Sequence, residues 1–386
     1  MPTQPSATSA GEILGVIRGS GGLTRAELLE RTGMARSTLY LRLDQLQAAG
    51  LIRESGFRTS TGGRPAAVLA FDARDRVVLT LDVGHHRAAA SVCDVDGASL
   101  ASEAVIRGSD ETLPELVEHL CGVGERLLAE RRAARLMGVG LALPAPVDRH
   151  TGQRLASVAL PDPSYPIESL VATRFGCAVS VENDARALAL GVSTEVPDMD
   201  DDGVLLGVKF STGLGLGLLT GGHMMRGSTG AAGDLGHLRI TPGRGPECTC
   251  GRRGCLAAYA SGRALVRDVA RRDIASVSDL SAAYDRGEPD VVERVHAAAR
   301  LLGTHVGGFV QVSNPQYVAF GGVLGGRPTI AQQVEAAIRE QLSDRIGNAA
   351  EYRVANGDHT AASGLVALVV ADALAAPVID ELLATG

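Results

Sequence analysis

The sequence predicts an α/β chain in two parts: a small winged helix-turn-helix head, then a large two-lobed body of the actin-like, ribonuclease-H-like class. Three observations predict it. Residues 11–72 read as helix, short helix, glycine turn, helix and two short strands. From Arg76 onward, apolar runs of strand length alternate with helical stretches. The order of those runs then partly recurs from Gly203.

Composition is consistent with this division. At 386 residues the chain exceeds a single small core. With 45% hydrophobic and 21% charged residues it has the make-up of an ordinary soluble protein, and with no Trp its cores must rest on Leu, Val, Ala and Ile. The 48 glycines are too many for a helix bundle and point to tight turns or phosphate-type loops. The net charge of −7 is uneven: residues 1–76 hold ten Arg against seven acidic residues, and the rest hold 27 basic against 37 acidic. A basic head on an acidic body fits nucleic-acid contact through the head alone. The start, MPTQPSATSAGEILG, has no signal-peptide pattern, and no apolar run approaches the roughly 18 residues of a membrane span. A cytoplasmic location with no membrane partner is expected, where six Cys would stay reduced. Three of them, Cys248, Cys250 and Cys255, fall within eight residues and point toward a metal.

In chain order, a polar tail over residues 1–10 precedes Ile13, Leu14, Val16 and Ile17, which lie on helical spacing and are stopped by Gly19–Gly22. Thr24 with Glu27 three positions on is a capping-box pattern opening a short helix over Arg25–Thr32. Gly33 turns the chain into a second helix from about Arg36 to Ala49, with Leu39, Leu43 and Leu46 inward. The exposed start of that helix carries Arg36, Ser37, Thr38, Tyr40 and Arg42, residue types that bond phosphates and base edges. LIRESGF and PAAVLAF then read as a two-stranded wing whose tip holds Arg58 and the run Gly62-Gly63-Arg64-Pro65. Arg64 fits a minor-groove arm or a phosphate anchor. A small helical domain with a solvated polar face, or a protein–protein adaptor, would share the helices; the agreement of helix order, turn and wing favours double-stranded DNA.

In the body, VVLTLDVG is a buried strand ending in Asp82 and a glycine, followed by AAASVCDV, SLASEAVI, a helix over Thr112–Arg132 and the strand LMGVGLAL. GVLLGVKF, GLGLGLLT and NPQYVAFGG repeat the pattern, and a doubled βββαβαβα unit places ligands in a cleft between two lobes. Cys93, Cys121 and Cys177 read as small core residues.

The pieces VENDARALALG (181–191), STGLGLG (211–217), GAAGDLGH (230–237), CTCGRRGCLAAYAS (248–261) and NPQYVAFGG (314–322) resemble the ROK family of sugar kinases and sugar-sensing repressors over nearly the whole chain. The head ending in TGGRPAAVLAF resembles the repressor branch. His237, Cys248, Cys250 and Cys255 form H-x10-C-x-C-x4-C, a donor set suited to a closed, structural tetrahedral Zn²⁺ in a loop over 237–255, with Gly251 and Gly254 letting the loop fold back. Free thiols in a glycine-rich loop are the bland alternative.

The resemblance implies that Asp184 occupies the kinase base position, that Asn183, Asp184, Asp234 and His237 bind sugar, and that His237 touches both metal and sugar. It also implies phosphate loops at Asp82–His86 and Thr212–Gly215. This sequence departs there: His85 and His86 replace a glycine and a small hydroxyl of the first loop, Ala145 a sugar-side glycine, and Ala257 a glutamate. The resemblance therefore implies no catalysis and no ATP cofactor, in a cleft that still takes a sugar, an amino sugar or a sugar phosphate; His85, His86 and Arg87 would suit the last, or else are turn residues with no role. A single helix-turn-helix reads too little sequence, so a homodimer or a dimer of dimers is expected, through helices near 262–300 or a C-terminal helix over 360–384. That last helix could instead pack beside the head. Residues 76–386 would form the effector-binding and dimerisation domain. An active sugar kinase carrying a DNA head, and a constitutive DNA binder, are the competing readings.

Overall fold

The computed structural model describes residues 9–58, 65–85, 87–107, 111–131, 134–148, 154, 157, 160, 162–196, 198–343, 346, 350–355 and 357–385. The chain divides into two compact units, residues 1–76 with 369–386, and residues 77–368.

In the first unit, α1 (Ala10–Gly19) opens with a Ser9–Glu12 capping box and buries Ile13, Leu14 and Ile17. The expected Thr24–Glu27 box opens α2 (Arg25–Thr32), which ends on Gly33 in the left-handed region at φ 65°. Helix α3 (Arg36–Ala48) buries Leu39, Leu43 and Leu46 completely. The wing has three strands rather than two: β1 (Leu23–Thr24) pairs with β3 (Ala66–Phe71), which pairs with β2 (Ile52–Arg58). Thr24 thus both caps α2 and takes part in a ladder, and two residues are too few to show a period-2 signature in sequence. Arg64 and the rest of the wing tip lie outside the described residues.

The expected single C-terminal helix is two, Gly357–Ala373 and Ala376–Thr385. The second groups with residues 1–76 and not with residues 77–368. It packs on α1, where Asp380 Oδ1 accepts from the Gly11 amide at 2.9 Å. Any Cβ at Gly11 would lie 2.3 Å from the Ala376 carbonyl oxygen. Among the described residues no single helix is long and apolar enough to cross a membrane.

The second unit holds two five-stranded sheets. Strands β4 (Arg76–Val83), β5 (Arg87–Asp94), β6 (Ser99–Ile106), β7 (Arg135–Leu143) and β8 (Val179–Asn183) lie in the order β6-β5-β4-β7-β8. Strands β9 (Val204–Phe210), β10 (Leu214–Thr220), β11 (His223–Met224), β12 (Tyr317–Gly321) and β13 (Glu351–Val354) lie in the order β11-β10-β9-β12-β13. Counted within each half, both sheets read 3-2-1-4-5, so the duplication seen in the strand order is a duplication of topology. In each half the first three strands form an antiparallel meander, and the later strands pair in parallel. Helix α4 (Leu113–Ala129) follows the first meander, and α5 (Ile167–Phe175) connects β7 to β8.

Close packing positions the site. Helix α6 (Asp184–Glu195) lies across β9 and β10, where Gly207, Gly215 and Gly217 meet Ala185 and Ala189; a Cβ on Gly217 would sit 2.5 Å from that of Ala189. Glycine on the sheet and alanine on the helix let the backbones approach. This brings the first residue of α6, Asp184, against β9.

Candidate functional site

A cleft of about 1310 Å³ in the second unit is lined by residues at the C-terminal ends of β4, β8 and β9 and in the segments that follow them, with Asp234 and His237 from the stretch after β11; they include Asp82, His85, Asn183, Asp184, Lys209 and Thr212. The four residues expected to bind sugar thus line one cavity, though they differ in how far their polar atoms are engaged. Asn183 caps α6, its Oδ1 accepting from the amides of Ala185 and Arg186 at 3.0 and 3.3 Å, while its Nδ2 donates to the Ala145 carbonyl at 3.2 Å. Asp184 accepts a hydrogen bond from Lys209 Nζ at 2.6 Å. Asp234 Oδ1 stands 4.0 Å from His237 Nε2. Desolvation in the cleft raises the Asp234 pKa, and the imidazole opposes it.

Two groups here escaped sequence reasoning. Glu182, the fully buried neighbour of Asn183, accepts from Arg186 Nε at 2.6 Å and from both Nε and Nη2 of Arg226 at 3.0 and 2.7 Å. Arg186 also donates to the Gly230 carbonyl at 2.7 Å, so one carboxylate ties β8 and α6 to the loop leading to Asp234. Lys209 is the other, and it had a signal: it is the only lysine in the sequence. Glu182 had none, since its strand reads Val-Ser-Val-Glu-Asn and other polar residues stand beside it.

The donor atoms of His237, Cys248, Cys250 and Cys255 lie within 4.8 Å of one another. The His237 Nδ1 to Cys248 Sγ distance is 3.4 Å, and Cys250 Sγ to Cys255 Sγ is 3.7 Å. A tetrahedron with metal–sulfur bonds of about 2.3 Å has sulfur–sulfur edges of about 3.8 Å, so the spacing fits a closed four-ligand site. Gly251 and Gly254 adopt φ of 80° and 77°, and a Cβ on Gly254 would fall 1.9 Å from the Thr241 carbonyl. With Nδ1 facing the thiols, His237 has Nε2 on the side of Asp234, 4.0 Å from its Oδ1 and beyond hydrogen-bond distance. Cys93 and Cys121 are buried core residues, with burial pushing both thiols up to about 11, whereas Cys177 is only partly buried.

The departures from the kinase pattern lie in the same cleft. Gly84 is confined, since a Cβ there would meet the Arg87 carbonyl at 2.2 Å, and His85 Nδ1 accepts from Arg263 at 3.0 Å. His86 lies outside the described residues. Ala145 and Ala257 both line the cleft.

In the head, Arg36, Ser37 and Thr38 are exposed at the start of α3, and Tyr40 and Arg42 are half-buried. Tyr40 is held by its neighbours: Arg36 Nε donates to its hydroxyl at 3.2 Å, and the guanidiniums of Arg36 and Arg25 lie 5.2 and 5.8 Å from its ring centre. Arg42 bonds Gln45 at 3.1 Å. Arg58 forms an ion pair with Glu27 at 2.5 Å, so on the wing it is engaged with α2.

Comparison with known proteins follows the same division. The ROK family model matches residues 78–372, and a helix-turn-helix domain model matches residues 9–55. The xylose repressor of Bacillus subtilis is 24% identical over 357 residues, covering 90% of this chain and 91% of that protein. The DNA-binding transcriptional dual regulator NagC of Escherichia coli is 24% identical over 364 residues, covering 90% and 89%. A crystal structure described as a ROK family transcriptional regulator, homologous to E. coli MLC, superposes with a TM-score of 0.75 at 23% identity over 98% of both chains. A ROK hexokinase from Thermus thermophilus is 31% identical with a TM-score of 0.59, covering 76% of this chain and 97% of its own. With its cleft, its Cys/His loop and a model match spanning three quarters of its length, the chain belongs to the ROK family.

Proposed function

We propose that this chain is a sugar-responsive transcriptional repressor, acting on operator DNA through residues 11–72 and binding its effector in the cleft of the body. The observation that carries this reading is that the likeness to the xylose repressor and to NagC runs through head and cleft together, over 90% of the chain. Arg36, Ser37, Thr38, Tyr40 and Arg42 would meet base edges and phosphates from α3, with Arg58 and Arg64 contributing from the wing. The stacking on Tyr40 fixes Arg36 before DNA arrives, which lowers the ordering cost of binding.

In this reading the cleft binds a sugar and performs no chemistry. A general base must be available to the hydroxyl proton it removes, and Asp184 is already bonded to Lys209. His85 occupies the first phosphate loop, and Ala257 supplies no carboxylate. Asp234 and Asp184 remain as acceptors for sugar hydroxyls. His237, Cys248, Cys250 and Cys255 would hold a structural Zn²⁺, which supplies a fixed loop geometry behind the pocket and no reaction step. Effector binding shifts a dimer between two arrangements of unequal DNA affinity, in the cytoplasm.

The test is a thermal-shift screen of the full chain against neutral, amino and phosphorylated sugars, followed by operator binding with each hit. A sugar that raises the melting temperature and changes operator affinity several-fold supports the reading. No response to any sugar leaves a constitutive DNA binder. Robust ADP release with a hexose, abolished in Asp184→Asn, would overturn the sensor reading in favour of an active kinase, which the retained Thr212–Gly215 loop and the 31% identity to the Thermus hexokinase keep in view.

A further inference from the structure

Helix α3 changes character around its circumference. At about 100° per residue, Leu41 lies roughly 190° round from the mean direction of the buried Leu39, Leu43 and Leu46, so it is turned almost directly away from the core of the head. It is 57% exposed. Within roughly 60° of it stand Ser37, Thr38, Asp44, Gln45 and Ala48, none of them basic and none a large apolar residue. The two arginines of the helix lie farther round, on opposite flanks. Arg36 is held there by Tyr40, and Arg42 by Gln45 at 3.1 Å. The outward face therefore has cations along its two sides and a leucine along its centre.

A helix lying in the major groove sets its flanks toward the two phosphate strands and its central face toward the base edges. Arg36 and Arg42 suit the flanks. Asp44, one turn beyond Leu41, is exposed and repels phosphate, which keeps the central face on the bases. There Leu41 expels water from the edge opposite and offers no hydrogen bond in return. Set against a purine edge or a cytosine amino group, it would strand a donor or an acceptor. The major-groove edge of the base pairs presents one apolar group that avoids this cost, the C5 methyl of thymine. The side chain also leans toward the helix N-terminus, over the turn that carries Ser37, which is the end that enters the groove. A lone exposed leucine is ordinary on a protein surface; this one sits at the middle of a docking face.

We propose that Leu41 is a specificity-determining residue of the head, packing on the C5 methyl of one thymine in each operator half-site. The proposal rests on the reading of residues 11–72 as a DNA head and names one base that the head selects. Ser37 and Thr38, four and three positions earlier on the same face, are placed over the adjoining base pairs. Leu41 thus joins the polar residues of α3 as a base contact, although its residue type alone marks it as core.

The test begins with operators selected by the full chain from a pool of random duplexes. Each thymine is then replaced singly by deoxyuridine, an exchange that removes one methyl and keeps every hydrogen-bonding group of the base. Fluorescence-anisotropy titration is expected to find one thymine per half-site whose replacement weakens binding about fourfold, the worth of one buried methyl. In Leu41→Ala the thymine and deoxyuridine duplexes should bind alike at that position, with the melting temperature of the chain little changed because the side chain lies outside the core. Should Leu41→Ala prove unstable, Leu41→Gln keeps the length, removes the apolar end and reads the same preference. If no thymine responds to loss of its methyl, or the preference survives substitution of Leu41, the side chain packs on deoxyribose or touches nothing; the inference then fails and the DNA-head reading stands. A pool from which the chain selects no sequence overturns both.

Discussion

The buried charges of the cleft make the sharpest single-residue claims. Glu182 is shared by two arginines beside the site, and both Glu182 and Arg186 are essentially inaccessible to water. Removing one member of a buried ion pair strands the other, at a cost of about 3–5 kcal/mol, whereas a pair reaching solvent costs far less. Glu182→Gln is therefore expected to lower urea-unfolding stability by about that amount. Arg226→Ala, whose side chain is 34% exposed, should cost clearly less because Arg186 stays paired. Equal losses in the two variants would mean that the Arg186–Glu182 bond is not what holds the loop. The four metal-type donors are legible in residue type and spacing, whereas Asn183, Asp184 and Asp234 stand out only through the family resemblance. What sequence could not supply was pairing. Nothing in the string VEND announces that Glu182 faces inward, and nothing in it joins Asp184 to Lys209, since that contact depends on β9 lying beneath α6.

At the level of elements, two features carry consequences. The approach of α6 to its sheet depends on bare backbone, because a side chain on Gly217 meets Ala189 and the Ala185 carbonyl within 2.8 Å. Gly217→Val should destabilise by about 1–3 kcal/mol through overpacking, and should weaken effector binding because Asp184 begins that helix. Unchanged effector affinity would show that the helix start is held independently of its packing. The Cys/His loop makes the second claim. Its backbone turns through two left-handed glycines and has little apolar core of its own beyond Cys248, Cys255 and Ala258. If a metal supplies the missing cohesion, chelation or Cys255→Ser should release about one zinc per chain and open residues 237–255 to proteolysis, while the sheets keep their circular dichroism. A loop equally resistant with and without metal would remove the structural role. Strand and helix periods made the doubled order visible in sequence, yet one element stayed hidden for a physical reason: strand β1 is too short for any periodicity. The break at Ala373–Ala376 has a signal in the sequence, Pro377 in the first turn of the second helix, where its missing N–H and fixed φ stop the preceding helix.

For the whole molecule, the decisive property is coupling, which needs no route to be specified in order to be tested. If effector and operator bind the same chain and one alters the affinity of the other by some factor, the reverse effect must have the same factor. Operator titrations with and without saturating effector should therefore give a ratio equal to that from effector titrations with and without operator, typically about 5- to 150-fold. Charge makes the comparison sensitive to conditions. The body is acidic and the net charge is −7, so DNA contact through a small basic head should weaken steeply with salt while effector binding barely changes. At each salt concentration the two ratios must still equal one another, because they close the same thermodynamic cycle. Substitutions at Gly11 or Asp380, which seat the C-terminal helix on α1, offer the complementary measurement. Gly11→Val cannot accommodate the Ala376 backbone and should destabilise the head; if that seating also transmits the signal, the coupling ratio falls toward one while each separate affinity is retained. A ratio unchanged in Gly11→Val would restrict the C-terminal helix to stabilising the head, and the signal would have to pass elsewhere.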